Sequence, residues 1–549
     1  MIGMINNPST IPLVMNEQGP ACVEERIDTT LQISREAMVS RHQDMLRSIT
    51  SSAARSAIYE GRIREISFLQ DLSSLPLTSY QYIEEAIEKL SQERCLLQSP
   101  DHVFQTSGST GNPKRMYYSN SDALRIATDF GIICRTVGLG RSYKGWNLGG
   151  ARPNVSGALL EETSELLGLD VLHTLLTRES DLMPAMRRAS RLDRIDVVAS
   201  AALVLYFISR SVKEPDFLQS TVKEKLRRDK HLPSFVASLV ARLYIANVNP
   251  KRLGTMLAKT HIAITYAEPI TGYYTDYRNS MPEARFVDVL GSTENPVLAA
   301  QLDLGSKGLS LFLNAVIPEL ADPVEVANAK QDGTNVKGTP WTEWQKGMRG
   351  ELLVTRPGEC LPLIRYPTGD MVEVIDPAHR ISLGDDGRTT VLPLIKVLGR
   401  SVDVLDFEVE DEMGCFLGNK IYSHNIHEAM PRSLNIRWWE LYNIKGNPGR
   451  LCFLIIPEKD VTDVERFKKD VLDHLLKECD DPHHTLEIGI ELGRLDLMIT
   501  KAAAYSVVQR EIDQRAREGR ALGQLKPKRI RTVDGEEAFK EAVAEKMQQ

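Results

Sequence analysis

Nine consecutive residues, Thr106-Ser-Gly-Ser-Thr-Gly-Asn-Pro-Lys114, constrain what this chain can fold into more than any other stretch. They follow a short strand-like run, Val103-Phe-Gln105. Glycine lacks a Cβ and lets the backbone approach an anion closely. The exposed amides and hydroxyls of such a loop can surround phosphate oxygens, and Lys114 adds a mobile point charge. The spacing is not that of the G-x-x-x-x-G-K-[ST] phosphate loop, and Pro113 precedes the lysine. A solvated Ser/Gly loop is the bland alternative, and the ordered T-S-G-S-T-G-x-P-K string outweighs it.

With 549 residues the chain has room for more than one domain. Residues 1–25 read as a loose leader. Residues 26–65 read as helical, and a helix is expected over Tyr80 to Glu93. Helices then alternate with strand-like runs at Asp196–Ser200, His261–Thr265 and Ala284–Leu290, which argues for an α/β architecture. After residue 300 the texture turns β-rich. Strands are expected at Ser310–Leu313, Gly350–Thr355 and Asp370–Ile375, with a turn at Gly384-Asp-Asp-Gly387. A boundary falls after Arg400. Beyond it a second α/β pattern reads as strand Leu451–Ile456, helix Val461–Cys479 and strand Leu486–Leu492. The expected fold class is therefore α/β, with a large multi-layer N-terminal domain over 26–400 and a smaller mobile C-terminal α/β domain over 401–549.

The net charge of −7 carries no basic excess, so composition gives no support for nucleic-acid binding. The seven cysteines are scattered and form no C-x-x-C pair, a pattern that suits a reducing cytoplasm rather than a disulfide framework or a zinc knuckle. The N-terminus lacks a basic start followed by an apolar core, so a signal peptide is not expected. The longest apolar stretch, Val197 to Ile208, is short of the ~20 residues that cross a membrane. These features point to a cytoplasmic protein whose partners are small molecules, with neither nucleic acid nor membrane among them.

The Thr106–Lys114 string resembles the phosphate loop of the adenylate-forming superfamily, which includes acyl-CoA synthetases, adenylation domains and luciferases. Further motifs of that superfamily follow in its order. Gly291-Ser-Thr-Glu294 follows an apolar strand, and Leu290 stands where the family usually has tyrosine. The bland reading of this segment is a helix start capped by Ser292 or Thr293. Arg365-Tyr-Pro-Thr-Gly-Asp370 resembles Y-x-T-G-D, against the bland reading of a β-turn at Gly369-Asp370. Gly399-Arg-Ser-Val-Asp403 resembles G-R-x-x-D. Asp71–Thr78, Tyr266-Ala-Glu-Pro269 and Leu361–Tyr366 are similar to segments of phenylacetate–coenzyme A ligases, and the matches span about residues 50 to 430.

The resemblance implies ATP-dependent activation of a carboxylic acid through an acyl-adenylate, with release of pyrophosphate, followed by acyl transfer to coenzyme A. It implies that Thr106, Ser107, Gly108, Ser109, Thr110 and Gly111 bind the nucleotide together with Ala267, Glu268, Pro269, Gly291, Ser292 and Thr293. Asp370 and Arg400 would hold the ribose, Thr110 and Glu294 would support Mg²⁺, and Asp403 would mark the interdomain hinge. Lys114, Glu294 and a C-terminal lysine are the catalytic candidates. For that lysine the sequence offers Lys526, slightly preferred, or Lys528, in Gly523–Ile530, where a solvated basic stretch is as good a reading. The segment from Arg515 to Phe539 is similar to the end of auxin-amido synthetases, which leaves an amine acceptor as an alternative. A non-catalytic nucleotide-binding protein on the same fold is the alternative of another class.

Other conspicuous residues receive plain readings. His424, His427, His483 and His484 lack partners at ligand spacing and read as surface or capping residues. Trp438-Trp439 reads as core or domain contact, and Lys223–Lys230 as a solvated helix face. Asn147-Leu-Gly-Gly150, with Gly157, is expected to line an acyl pocket, because small residues make room there.

Overall fold

The computed structural model describes residues 34–548, excepting 107–112, 178–180, 215, 217–218, 220–221, 224–233, 268–269, 304–307, 333–334, 384–387, 402–404, 411–415, 422–424, 427–428, 431–433, 447–448, 480–484 and 518–528. Helix α1, Arg35–Ala53, starts where the Ser34 hydroxyl accepts a bond from the Ala37 amide. The helix expected over 26–65 stops at Ala53 within the described residues. Beyond it Ile58 and Tyr59 turn into the main core, 0% and 1% exposed, instead of continuing an amphipathic face. Helix α2, Tyr80–Leu90, breaks at Ser91 (φ 77°), and Gln92–Cys95 forms a separate helical turn.

The largest of the sheets has twelve strands among the described residues. Strand β1, His102–Gln105, and strand β2, Arg115–Tyr118, form a hairpin of their own. The strands β3 (Lys144–Leu148), β4 (Asp170–His173), β5 (Val197–Ala201), β6 (Ile262–Tyr266) and β7 (Arg285–Leu290) run parallel in the order β4-β3-β5-β6-β7. Helix α3 (Asn120–Thr136) precedes β3, and helices α4 (Val155–Leu167) and α5 (Ala202–Lys213) fall between these strands in the chain. Successive strand residues point to opposite faces. Ile262, Ile264 and Val287 accordingly enter one buried cluster, and Val198, Ala263 and Phe286 enter another. Apolar packing on both faces is what a parallel sheet requires.

The sheet continues antiparallel through β8 (Ala299–Ala300), β9 (Leu309–Leu311), β10 (Ile317–Ala321), β11 (Gly338–Pro340), β12 (Arg349–Arg356), β13 (Leu363–Leu383) and β14 (Arg388–Arg400). The strand expected to reach Leu313 ends at Leu311, where Phe312 turns to bond the Leu298 carbonyl. Beyond Arg400 lie a hairpin of β15 (Leu405–Glu410) and β16 (Phe416–Ile421) and a four-stranded sheet. That sheet is built from β17 (Ile436–Lys445), β18 (Arg450–Pro457), β19 (Leu495–Ile499) and β20 (Ile530–Asp534). Helices α6 (Val464–Glu478), α7 (Thr485–Glu491), α8 (Tyr505–Arg517) and α9 (Gly535–Met547) accompany it.

The strand expected at Leu486–Leu492 is helix α7. The run Leu486, Ile488, Ile490 alternates, which reads as β. In a helix Leu486 and Ile490 share a face four residues apart, and that face packs on the core of the small sheet. Gly493, at φ 63°, ends the helix. Trp438 and Trp439 lie on β17, buried in separate clusters, as the core reading expects. Among the described residues no helix is long and apolar enough to cross a membrane. The turn Gly384–Gly387, Asp403, His424, His427, His483, His484 and most of Lys223–Lys230 lie outside the described residues.

Candidate active site

Backbone pairing brings the two ends of the glycine-rich loop together. Gln105 faces Arg115 across the β1–β2 hairpin. The Thr106 amide donates to the Lys114 carbonyl at 2.9 Å, and the Lys114 amide donates to the Thr106 hydroxyl, also at 2.9 Å. The loop is thus pinched at its base with Lys114 at the exit. Ser107, Gly108, Ser109, Thr110 and Gly111 lie outside the described residues.

Lys114 reaches the turn that follows β7. Its Nζ donates to Glu294 Oε1 at 2.9 Å and lies 3.3 Å from the Tyr366 hydroxyl, which itself donates to Glu294 Oε1 at 2.8 Å. The aromatic faces of Tyr80 and Tyr366 stand 5.4 and 5.9 Å from the ammonium. Glu294 is 5% exposed. Burial pushes its carboxyl up, but the Lys114 charge and the bonds from Lys114 and Tyr366 outweigh that and hold it below the ordinary carboxylate value. The Tyr366 hydroxyl is pushed well above its ordinary value, first by burial and then by the Glu294 charge.

The Gly291–Glu294 segment is not a helix start. It is a turn closed by the Ser292 amide on the Asn295 carbonyl (2.8 Å) and the Asn295 amide on the Ser292 hydroxyl (3.1 Å). A Cβ on Gly291 would lie 2.2 Å from the Pro296 carbonyl oxygen, so only glycine fits. Thr293 is buried beside Glu294, and Leu290 packs on the main core. Ala267, just past β6 at the same edge of the sheet, holds a left-handed φ of 76°, which costs a non-glycine residue about 1–2 kcal/mol. Glu268 and Pro269 lie outside the described residues.

Asp370 and Arg400 face each other across β13 and β14. Arg400 Nε lies 3.2 Å from Asp370 Oδ1, and Arg400 Nη1 donates to the Thr368 carbonyl at 2.7 Å. Neither forms a β-turn; both belong to strands, and Gly369 takes a φ of 77° between Thr368 and Asp370. The Arg400 charge is close enough to act on the Tyr366 hydroxyl, which links this pair to Glu294. Lys526 and Lys528 lie outside the described residues.

Sequence reasoning named Lys114, Glu294, Asp370 and Arg400, and it missed Tyr366, Tyr118 and Arg356. Tyr366 was in view inside Arg365–Asp370. Arg365, its neighbour, is a structural residue: fully buried, it pairs with Glu319 and donates to the carbonyls of Leu75 and Val336. The expected acyl-pocket glycines do something else. A Cβ on Gly149 would lie 2.6 Å from the Gly157 Cα, and one on Gly157 would lie 2.2 Å from the Gly150 carbonyl oxygen. The small residues let the end of β3 pack against the start of α4, so the space they leave is filled by backbone.

The residues present suit a Mg²⁺ ion accompanying a nucleotide. Glu294 is an ionised hard-oxygen donor, and no group of three or more His, Cys, Asp or Glu side chains placed to hold a metal ion occurs among the described residues. An ion there would take its remaining ligands from phosphates and water, the usual habit of Mg²⁺.

No protein-family model matches the chain, and no curated protein matches it. Solved structures do. 2-Hydroxyisobutyryl-CoA ligase, in the postadenylation state with R3-HIB-AMP, superposes with a TM-score of 0.65 at 13% identity, covering 96% of this chain and 94% of that one. The same ligase in the thioesterification state with 2-HIB-AMP and CoA gives 0.52 at 13% identity, covering 95% and 94%. GH3.15 acyl acid amido synthetase gives 0.59 at 13% identity, covering 94% and 95%. At these identities the likeness is one of fold. The chain shares the fold of this CoA ligase and of this amido synthetase over nearly its whole length.

Proposed function

We propose that this protein activates a carboxylic acid with ATP, forms an acyl-adenylate, releases pyrophosphate and passes the acyl group to coenzyme A. The observation that carries the reading is the convergence of Lys114, Glu294 and Tyr366 at the edge of the sheet where β7 ends, with the Asp370–Arg400 pair next along β13 and β14. Ligands of open α/β sheets bind at the carboxyl ends of the parallel strands. Thr106 to Gly111 and Lys114 would cradle the phosphates. Ala267 to Pro269 and Gly291 to Thr293 would border the nucleotide, and Asp370 and Arg400 would hold the ribose diol. Glu294, with Thr110, would hold Mg²⁺, which when bound supplies positive charge to the phosphate oxygens. Lys114 would leave Glu294 for the α-phosphate region as the substrate carboxylate attacks, stabilising charge where it develops. Residues 26–400 would form the adenylation domain and 401–549 the smaller domain that turns about Asp403, bringing Lys526 or Lys528 to the reaction.

Transfer to an amine is the second reading. An acyl acid amido synthetase covers this chain as fully as the CoA ligase does. The test is carboxylate-dependent exchange of labelled pyrophosphate into ATP over aryl, arylacetic, fatty and amino acids. Exchange with one class establishes adenylation, and consumption of the adenylate by coenzyme A or by amines then decides the acceptor. Intact ATP binding with no exchange across the panel would overturn the activation reading and favour a non-catalytic nucleotide-binding protein.

A further inference from the structure

Two side chains outside every motif grip the main chain at Glu294. The Tyr118 hydroxyl donates to the Thr293 carbonyl at 2.5 Å, with the Glu294 carbonyl 3.1 Å away. Arg356 Nε donates to that Glu294 carbonyl at 2.8 Å. Tyr118 and Arg356 are 1% and 3% exposed, and the guanidinium lies 5.1 Å from the Tyr118 ring centroid.

Arg356 is an expensive residue to bury. Its Nη1 donates to the Pro357 carbonyl, its Nη2 is buried without a partner, and it forms no ion pair with a described carboxylate. Buried charges are ordinarily paired, and an apolar side chain would fill the same space without the desolvation cost. What the guanidinium provides here is the bond to the carbonyl of Glu294. The two residues also come from different parts of the chain. Tyr118 ends β2, the strand that leaves the glycine-rich loop, and Arg356 ends β12, which pairs with β13 at Val354–Tyr366. The loop strand, the Thr293–Glu294 turn and the strand carrying Tyr366 are thereby joined at one point. The turn's own two hydrogen bonds, between Ser292 and Asn295, leave the carbonyls of Thr293 and Glu294 to this clamp.

We infer that Tyr118 and Arg356 are positioning residues that fix the Glu294 backbone, so that its carboxylate meets the metal accompanying the nucleotide in one orientation. The inference rests on the proposed role of Glu294 as a metal ligand. A side chain held only at its tip, by Lys114 and Tyr366, would swing once Lys114 turned to the phosphates. Anchoring the main chain keeps the carboxylate in place through that exchange.

The experiment uses the full chain with ATP and reads Mn²⁺ binding by electron paramagnetic resonance. ATP affinity in chelator and the melting temperature are measured alongside. Tyr118→Phe keeps the ring under Arg356 and removes only the hydroxyl. It is expected to weaken Mn²⁺ binding about tenfold, the equivalent of ~1.4 kcal/mol, while metal-free ATP affinity stays at the parental level. A lowered melting temperature with unchanged Mn²⁺ affinity would make Tyr118 merely structural and overturn the inference. Glu294→Gln separates the two layers. If it weakens Mn²⁺ binding and Tyr118→Phe does not, the clamp is wrong and the ligand assignment stands. If neither weakens it, the metal reading fails and takes the clamp with it. Should Tyr118→Phe not fold, Arg356→Lys, which keeps the charge but loses the fork geometry, is held to the same outcomes.

Discussion

Glu294 is buried and still ionised, because Lys114 and Tyr366 together overcome the desolvation that burial imposes. Glu294→Gln keeps the shape and removes the charge. Exchange of pyrophosphate should fall at least about a hundredfold, the scale of losing one preorganised electrostatic contact, with the melting temperature little changed. Parental exchange by the variant would remove Glu294 from the chemistry. His42 adds a separate sensitivity to acid. His42 is fully buried, its Nε2–H donates to the Leu313 carbonyl at 2.7 Å, and its Nδ1 accepts from the Trp341 indole at 2.9 Å. That arrangement uses the neutral ring, and burial lowers its pKa to about 4. Above pH ~6.5 the ring is neutral in both folded and unfolded chains, so His42 adds no pH dependence there. As pH falls from there to about 4, the unfolded chain takes up a proton that the folded one refuses. Stability should then drop by up to roughly 3 kcal/mol. Urea melts at pH 7 and pH 5 should show the loss, and His42→Gln should flatten it.

Among the elements, the last helix is held by charge as well as by apolar contact. Lys546 of α9 is 2% exposed and lies 3.0 Å from both carboxylate oxygens of Glu440 on β17, which is itself fully buried. Arg531 on β20 and Glu511 on α8 complete the cluster, and the Tyr442 and Trp438 side chains donate to Glu440. Two positive and two negative groups balance there, so removing one strands its partner. Lys546→Met should cost about 3–5 kcal/mol, seen as a lower denaturant midpoint for the small sheet. A midpoint within error of the parent would show the cluster to be dispensable. Elements also mark where sequence reading works. Runs such as Arg285–Leu290 and Arg450–Pro457 were legible because buried strands are short, apolar and β-branched. Helix α7 was not, since four alternating apolar residues fit either period until a neighbouring core selects one.

At the scale of the molecule, the sheets before and after Arg400 have separate apolar clusters, and the small one is closed by Trp439, Phe453, Val471 and Leu475. Between them Arg210 of α5 and Glu458 approach to 4.0 Å. Calorimetry should therefore resolve two unfolding transitions, and MgATP should raise the one belonging to the large domain. A single transition that moves as a whole with MgATP would mean that the two parts fold as one unit.

The sequence by itself determined the chemistry on offer. An ordered loop with its lysine, an acidic segment after a strand, and the separate short motifs that end in Asp370 and contain Arg400 are local strings, and local strings carry residue type and order. It also determined the α/β class, because periodicity and turn residues act over a few positions. Only the tertiary structure decided which of these groups meet. Lys114 and Glu294 lie 180 positions apart and touch because a hairpin and a parallel sheet bring their loops to one edge. Tyr118 and Arg356 carry no motif and became visible only through the carbonyls they hold. Gly149 and Gly157, read as open space, turned out to be the contact between a strand end and a helix. Long-range packing sets these outcomes, and packing depends on the whole fold rather than on any window of the chain.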